Sequence, residues 1–154
     1  MLFLLFHLGP DCYALPASRV VEVLPLLELT RVPQGPKGLA GIFNYRGRPI
    51  PAVDLSELAL GAPASQRLST RIIVTTCKDE QGHNHLLGLI AERATEMMRR
   101  DASDFINSGV TSNSGHYLGP VTLDGNGAIQ VVNEQILPDH VRAHLFSETA
   151  ATCQ

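Results

Sequence analysis

Charge is scarce in this chain. Only 18% of its residues are Asp, Glu, Lys or Arg, against 44% apolar, and the formal net charge is -3. The basic residues do not cluster beyond Arg99 and Arg100. A nucleic-acid groove needs a basic stripe to neutralise phosphates, and an anionic membrane needs a similar patch, so neither partner is expected. Cysteine is equally sparse. Cys12, Cys77 and Cys153 are too few and too irregularly spaced for a disulfide framework, which points to a reduced, cytosolic protein. Long apolar runs are missing as well. The opening MLFLLFHLG is short, follows no basic segment and precedes no small-residue cleavage pattern, so it reads as a first buried strand with no membrane insertion.

What is present is a globular composition with an uncharged surface, a mild argument for partners. The 154 residues suffice for one domain or for two small, intimately packed halves. Branched and aromatic residues recur in short runs separated by Gly, Pro, Asn and Asp, which predicts strands over Leu2–Leu8, Cys12–Leu15, Val20–Leu24, Gly38–Tyr45, Pro49–Leu55, Arg71–Cys77, Leu86–Ala91 and Ala128–Val132. Many short strands point to barrels or a sandwich. The stretches Gly61–Ser69 and Asn107–Gly115 read as exposed linkers, and no internal repeat is visible. Two segments read as helix. In AERATEMMRR the positions Ala91, Ala94, Met97 and Met98 fit the helical period better than alternation, and only long-range pairing could make it a strand. In LPDHVRAHLF, Pro138 suits a first turn and Val141 and Leu145 lie four apart, which predicts a short C-terminal helix.

The stretch GIFNYRGRPIPAVDL, from Gly41 to Leu55, sets two apolar runs about an Arg-Gly bend. Pro49 and Pro51 lie two apart, so in one strand their missing N–H groups face the same side. A hydrogen-bonded neighbour must then use Arg48, Ile50 and Ala52, leaving the proline side as an edge or bulge. Gly47 accommodates a positive φ at the bend. The expected result is a stiff loop carrying Arg46, whose five-donor guanidinium either caps a carbonyl, pairs with a nearby carboxylate or docks into a partner's acceptors. Glu22, between Val21 and Val23, is turned outward by alternation or paired internally.

Catalytic chemistry finds only isolated pieces. Cys77 closes the run RIIVTTC and reads as a small core hydrophobe, and Cys12 follows a turn at Gly9–Asp11. Cys153 lies in a polar tail. His83 and His85 form an HNH triplet in a loop of hairpin length, where two rings could share a metal if the loop curled, but no further ligand at recognisable spacing completes a sphere. His140 and His144 are four apart on the C-terminal segment without the Glu of a metalloprotease helix. GPKGLAG lacks the order that aims backbone N–H groups at phosphate, and a tight turn accounts for GNG at Gly125–Gly127. No enzyme and no cofactor are expected; a small metal-binding or enzymatic module using the HNH triplet and Cys77 stands as the alternative.

Several segments together carry a resemblance. FHLGPDCYALPASRVVEVL, LTRVPQGPKGLAGIFNYRGRPIPAVDLSEL, and RIIVTTC with the later LLGLIAE resemble the CheW-like coupling domain of bacterial chemosensory systems, from about Leu2 to Leu137. The most specific block is matched by Gly41, Asn44, Arg46, Gly47, Pro51, Asp54 and Leu55. The resemblance implies a mostly β fold of two small five-stranded SH3-like barrels packed about an apolar core, here as one CheW-like domain over residues 1–146 followed by a flexible tail, 147–154. It also implies a non-catalytic, cytoplasmic adaptor, recruited to membrane receptor arrays, that joins a CheA-type histidine kinase regulatory domain to the hairpin tip of a methyl-accepting receptor. The positions it makes partner-binding are Val20, Glu22, Gly41 and Arg46. The same fold also serves coupling proteins of chemosensory-like systems that control surface attachment, pili or cyclic-di-GMP synthesis. Departures from the family pattern are Tyr45, where an aliphatic residue commonly precedes Arg-Gly, the AERATEMMRR segment in place of a valine-rich strand, and a loosely matching ending, VTLDGNGAIQVVNEQILP.

Overall fold

The computed structural model describes residues 1–79, 81–107, 118–125 and 127–132, together with Leu145. Among the described residues the strands are β1 (Leu2–Leu8), β2 (Asp11–Pro16), β3 (Glu22–Pro25), β4 (Leu39–Tyr45), β5 (Arg48–Asp54), β6 (Arg71–Lys78), β7 (Asn84–Arg99), β8 (Leu118–Asp124) and β9 (Gly127–Val132), and the α-helix α1 (Leu55–Leu60) lies between β5 and β6. The protein is mostly β and falls into two sheet subdomains that share β7. The first half of β7 lies between β6, antiparallel, and β5, parallel, in the order β3-β6-β7-β5-β4. Its second half pairs with β1 and continues the path β1-β2-β9-β8. Each group holds five strands when β7 is counted in both. Read along each path, the pairings run antiparallel, antiparallel, parallel, antiparallel, so two segments without sequence similarity adopt one pairing scheme.

Ala91–Arg100 was expected to be helical, and this is corrected: β7 runs unbroken to Arg99. Between Leu5↔Glu96 and His7↔Glu92 the register shifts, with β7 supplying two more residues than β1, and Arg93 takes φ +51°. The inserted residues stretch the spacing of buried positions from two to three, so Ala91, Ala94 and Met98 fall at helix-like intervals while the backbone stays extended. What decides the conformation is pairing with β1, some ninety residues upstream, which a local period does not register.

Other boundaries move less. Val20 and Val21 precede β3: the Val20 N–H closes a 3-10 turn onto the Ala17 carbonyl (3.1 Å), and the Val21 N–H donates to the Val74 carbonyl (2.7 Å). β5 stops at Asp54, because Asp54 is the N-cap of α1 and its Oδ1 accepts the Glu57 N–H. Gly61, at φ +80°, ends the helix in the left-handed conformation. β8 was not anticipated; β9 was, and the two close at Asp124↔Gly127, as a turn at GNG requires. The expected C-terminal helix lies outside the described residues except for Leu145, which is helical and packs half-buried on the core. Residues 147–154, His140, His144, Cys153 and all but the first residue of the Asn107–Gly115 linker also lie outside the described residues.

Three apolar cores follow from strand alternation. The largest sits between the sheets, where Leu4, Phe6, Leu8 and Leu15 of one meet Val53, Ile73, Leu87 and Leu89 of the other. The sheet carrying β4 and β5 has its own core of Phe43, Tyr45, Ile50, Ala52, Ile72, Val74 and Ile90. The other sheet has a smaller one of Phe3, Ala14, Met98, Ile129 and Val131.

Candidate functional site

The β4–β5 hairpin carries the residues of interest. Tyr45 pairs with Arg48, so the loop is Arg46 and Gly47 alone, at φ +52° and +84°. Two residues with positive φ make a type I′ turn, whose twist matches that of the strands. Glycine takes this conformation freely, whereas Arg46 takes it against steric preference. The turn is held by Asn44, whose Oδ1 accepts the Gly47 N–H at 2.8 Å. Antiparallel alternation from Tyr45/Arg48 makes Phe43/Ile50 the next hydrogen-bonded pair, so Pro49 and Pro51 turn their N-donor side outward. β7 joins β5 only from Ala52 onward, beyond both prolines, which agrees with the edge read from the sequence.

Arg46 stands at the tip with 72% of its side chain exposed. It is not free: one terminal nitrogen donates to Glu22 Oε1 at 2.9 Å, and the guanidinium lies 5.4 Å from the centre of the Tyr45 ring. The bond to Glu22 pushes the Arg46 pKa further up, so the guanidinium is permanently charged. Glu22 stands opposite Val74 at the start of β3, and the chain that follows β3 returns to the hairpin at the Thr30↔Ile42 bridge. Of the two readings open for Glu22, internal pairing holds. Tyr45 is 7% exposed and meets Phe43 edge-on at 6.4 Å, so the aromatic departure from the family pattern fills the core below while presenting its ring to Arg46 above.

The other two sequence-derived positions sit differently. Val20 is half-buried and packs on the core between the sheets. Gly41 is buried where β4 meets the segment before it: Thr30 and Ile42 exchange two backbone hydrogen bonds of 2.8 Å, and a Cβ at Gly41 would stand 2.6 Å from the Thr30 carbonyl oxygen. The structure therefore joins Arg46 with Glu22, puts Val20 on the shared core, and gives Gly41 a backbone role.

Asp54 is the residue whose importance the sequence under-reports. Only 5% exposed, it donates its N–H to the Gly38 carbonyl (2.7 Å), caps α1 through Oδ1, and accepts the Ala64 N–H on Oδ2 at 2.9 Å. It ties the base of the hairpin to the helix and to the loop beyond. The signal was available: Asp54 followed three residues later by Glu57 is a helix-start pattern.

The remaining candidates resolve into structure. Cys77 is 5% exposed in the central core, and burial pushes the Cys12 thiol above its ordinary range, which disfavours a thiolate. In the HNH loop, Asp79 organises both rings. Its Oδ2 lies 2.7 Å from His85 Nε2 and 3.6 Å from His83 Nδ1, while Oδ1 accepts the N–H groups of Gln81 and His83, each at 2.9 Å. The His85 bond first, then the backbone donors, lower the Asp79 pKa to about 2. Among the described residues no set of three or more His, Cys, Asp or Glu side chains is placed to hold a metal, and no helix is long and apolar enough to cross a membrane.

Residues 2–140 match the family model described as a CheW-like domain. The chain belongs to that family. Chemotaxis protein CheW of Helicobacter pylori is 32% identical over 103 residues, covering 66% of this CheW-like chain, and the match spans 59% of that relative's length. Protein FrzA of Myxococcus xanthus is 27% identical over 134 residues, 85% of this chain and 81% of its own. Chemotaxis protein CheW of Thermotoga maritima is 25% identical over 135 residues, 87% and 85% of the two chains. In fold, the chain is similar to the crystal structure of scaffolding protein TtCheW from Thermoanaerobacter tengcongensis, with a TM-score of 0.72 at 23% identity over 86% of this chain and 83% of that one.

Proposed function

We propose that this protein is a cytoplasmic adaptor that couples methyl-accepting receptors to a CheA-type histidine kinase, its two five-strand groups being SH3-like barrels. The observation that carries the reading is the Arg46–Glu22 pair: a charged, exposed group on a stiff type I′ turn, in a chain whose family is one of scaffolds. The adaptor would transmit receptor state as a shift in the kinase's active population, holding both partners and doing no chemistry itself. Arg46 and Glu22 fix the register of the receptor contact, Val20 contributes apolar area beside it, and Gly41 lets the hairpin sit close against Thr30. Cytoplasmic placement with recruitment to receptor arrays follows from that role.

The test is calorimetric titration of the intact chain into the regulatory domain of a CheA-type kinase encoded beside it, with and without a receptor-tip fragment. Binding of roughly micromolar affinity or tighter is expected. Arg46→Ala should weaken the receptor-dependent part and leave the fold intact; unchanged receptor affinity, or a large loss of thermal stability, would contradict the role given to Arg46. A second reading, a coupling protein of a chemosensory-like system controlling surface attachment, pili or cyclic-di-GMP synthesis, draws on the low charge of the chain and the departures of its second half from the family pattern. The genes beside this one distinguish the two.

A further inference from the structure

We propose that the segment from Gly61 to Thr70 is a latch that locks the orientation of the two sheets at the bulge of β7, a role independent of which partner the protein serves. The bulge at Glu92–Arg93 is where β7 leaves one sheet and enters the other, so any change in the angle between the sheets must pass through it. A bulge of this kind opens the ladder locally and leaves backbone groups in need of partners. The segment supplies one such partner and takes a side-chain acceptor in return. Before the bulge, Glu92 Oε1 accepts the Ser65 N–H at 2.8 Å; beyond it, the Ala94 N–H donates to the Ser69 carbonyl at 3.1 Å.

The latch is braced internally and anchored at its start. The Thr70 hydroxyl donates to the Ser65 carbonyl, and the Thr70 N–H to that of Arg67 (3.0 Å), which folds the segment into a compact clamp although Leu68 at its tip is 98% exposed. At the other end the Ala64 N–H donates to Asp54 Oδ2, and Asp54 caps α1, which packs against both β1 and β7. Hydrogen bonds, joined through the adjacent residues Ala64–Ser65 and Ser69–Thr70, therefore connect the hairpin base, through Asp54 and the latch, to the first residue of the second sheet buried past the bulge, Ala94. The shared core alone sets how much area the sheets bury against each other. The latch sets the angle at which they do so, because hydrogen bonds are directional and apolar contact is not.

Two substitutions separate this from a merely local loop. Glu92→Ala removes the acceptor for Ser65, whereas Glu92→Gln keeps a side-chain oxygen there; Thr70→Val removes the internal brace at nearly constant volume. Residual dipolar couplings of the intact protein report the orientation of each sheet, and amide hydrogen exchange reports the latch. In the wild type a single alignment tensor should fit both sheets. In Glu92→Ala and in Thr70→Val the Ser65 and Ala94 amides should exchange about tenfold faster, and the sheets should need separate tensors, while the Ile72 and Leu89 amides stay protected and Glu92→Gln behaves as wild type. One tensor still fitting both sheets in the two variants, whether or not exchange accelerates, overturns the proposal, as does a wild type that already needs two.

Discussion

The sheet bearing Arg46 and the sheet built on β1 share one pairing scheme and differ in how their strands find each other. In the first, β4–β5 and β6–β7 are hairpins while β3 must wait for β6 and β5 for β7, all of it within the stretch from Glu22 to Ala91. In the second, β1 must wait for the end of β7 and β2 for β9, and only the β1–β2 and β8–β9 hairpins are local. Their private cores differ accordingly: two aromatics and five aliphatic residues against the smaller set around Phe3 and Ile129. The difference teaches that one sheet is complete within a contiguous stretch of chain, while the other joins segments from before and after that stretch and is completed on a surface the first provides through β7 and the core between them.

That comparison can be broken most severely at the shared core. Leu89→Ala, at a position with no exposure, should cost about 4 kcal/mol in urea unfolding with the transition remaining single. Two separated transitions would mean the sheets are stable apart. Next comes Gly88, where a Cβ would stand 2.6 Å from the Phe43 ring and 2.9 Å from Ile72. Gly88→Ala should cost about 2 kcal/mol by overpacking the core of the Arg46 sheet, and amide exchange should accelerate there before it does in the β1 sheet. Equal acceleration in both would show that the Arg46 sheet has no independence. Asp54→Ala, which strands the Glu57 and Ala64 N–H groups, should cost about 1 to 2 kcal/mol with increased exchange at α1 and Ala64.

The smaller effects sharpen the comparison. Arg46→Ala should leave the unfolding midpoint unchanged, because an ion pair this exposed contributes little, and should register only in receptor-dependent binding. The Asp79 effect is confined to acid. Its folded pKa of about 2 lies below the ordinary carboxylate value, so its contribution is fully present above about pH 4 and fades as the pH falls toward 2. Thermal melts over that interval should show a loss that Asp79→Asn abolishes. A variant whose melting follows the wild-type acid profile would remove Asp79 from the account.

How legible each part was follows from the same contrast. The hairpin could be read closely, since Gly47, Pro49 and Pro51 act through their own backbone geometry, which needs no distant partner. Arg46 was correctly placed at its bend, and the choice between outward and paired Glu22 stayed open because the two residues are 24 apart and meet only in the folded chain. α1 carried a signal in Asp54 and Glu57 that the run of apolar residues around it obscured. The segment from Ala91 to Arg100 pointed to helix, because a bulge imitates the helical interval when only burial spacing is considered, and the long-range pairing that alone could make it a strand is the pairing with β1.

By itself, then, the amino-acid order determined the β character, the family, the stiff arginine-bearing turn and the proline edge, all consequences of side-chain pattern or single-residue backbone preference. The tertiary structure alone decided that β7 serves two sheets, that Glu22 meets Arg46 and that the Gly61–Thr70 segment spans the bulge. Those contacts join residues far apart in the chain, and their energies exist only once the intervening segments have folded between them.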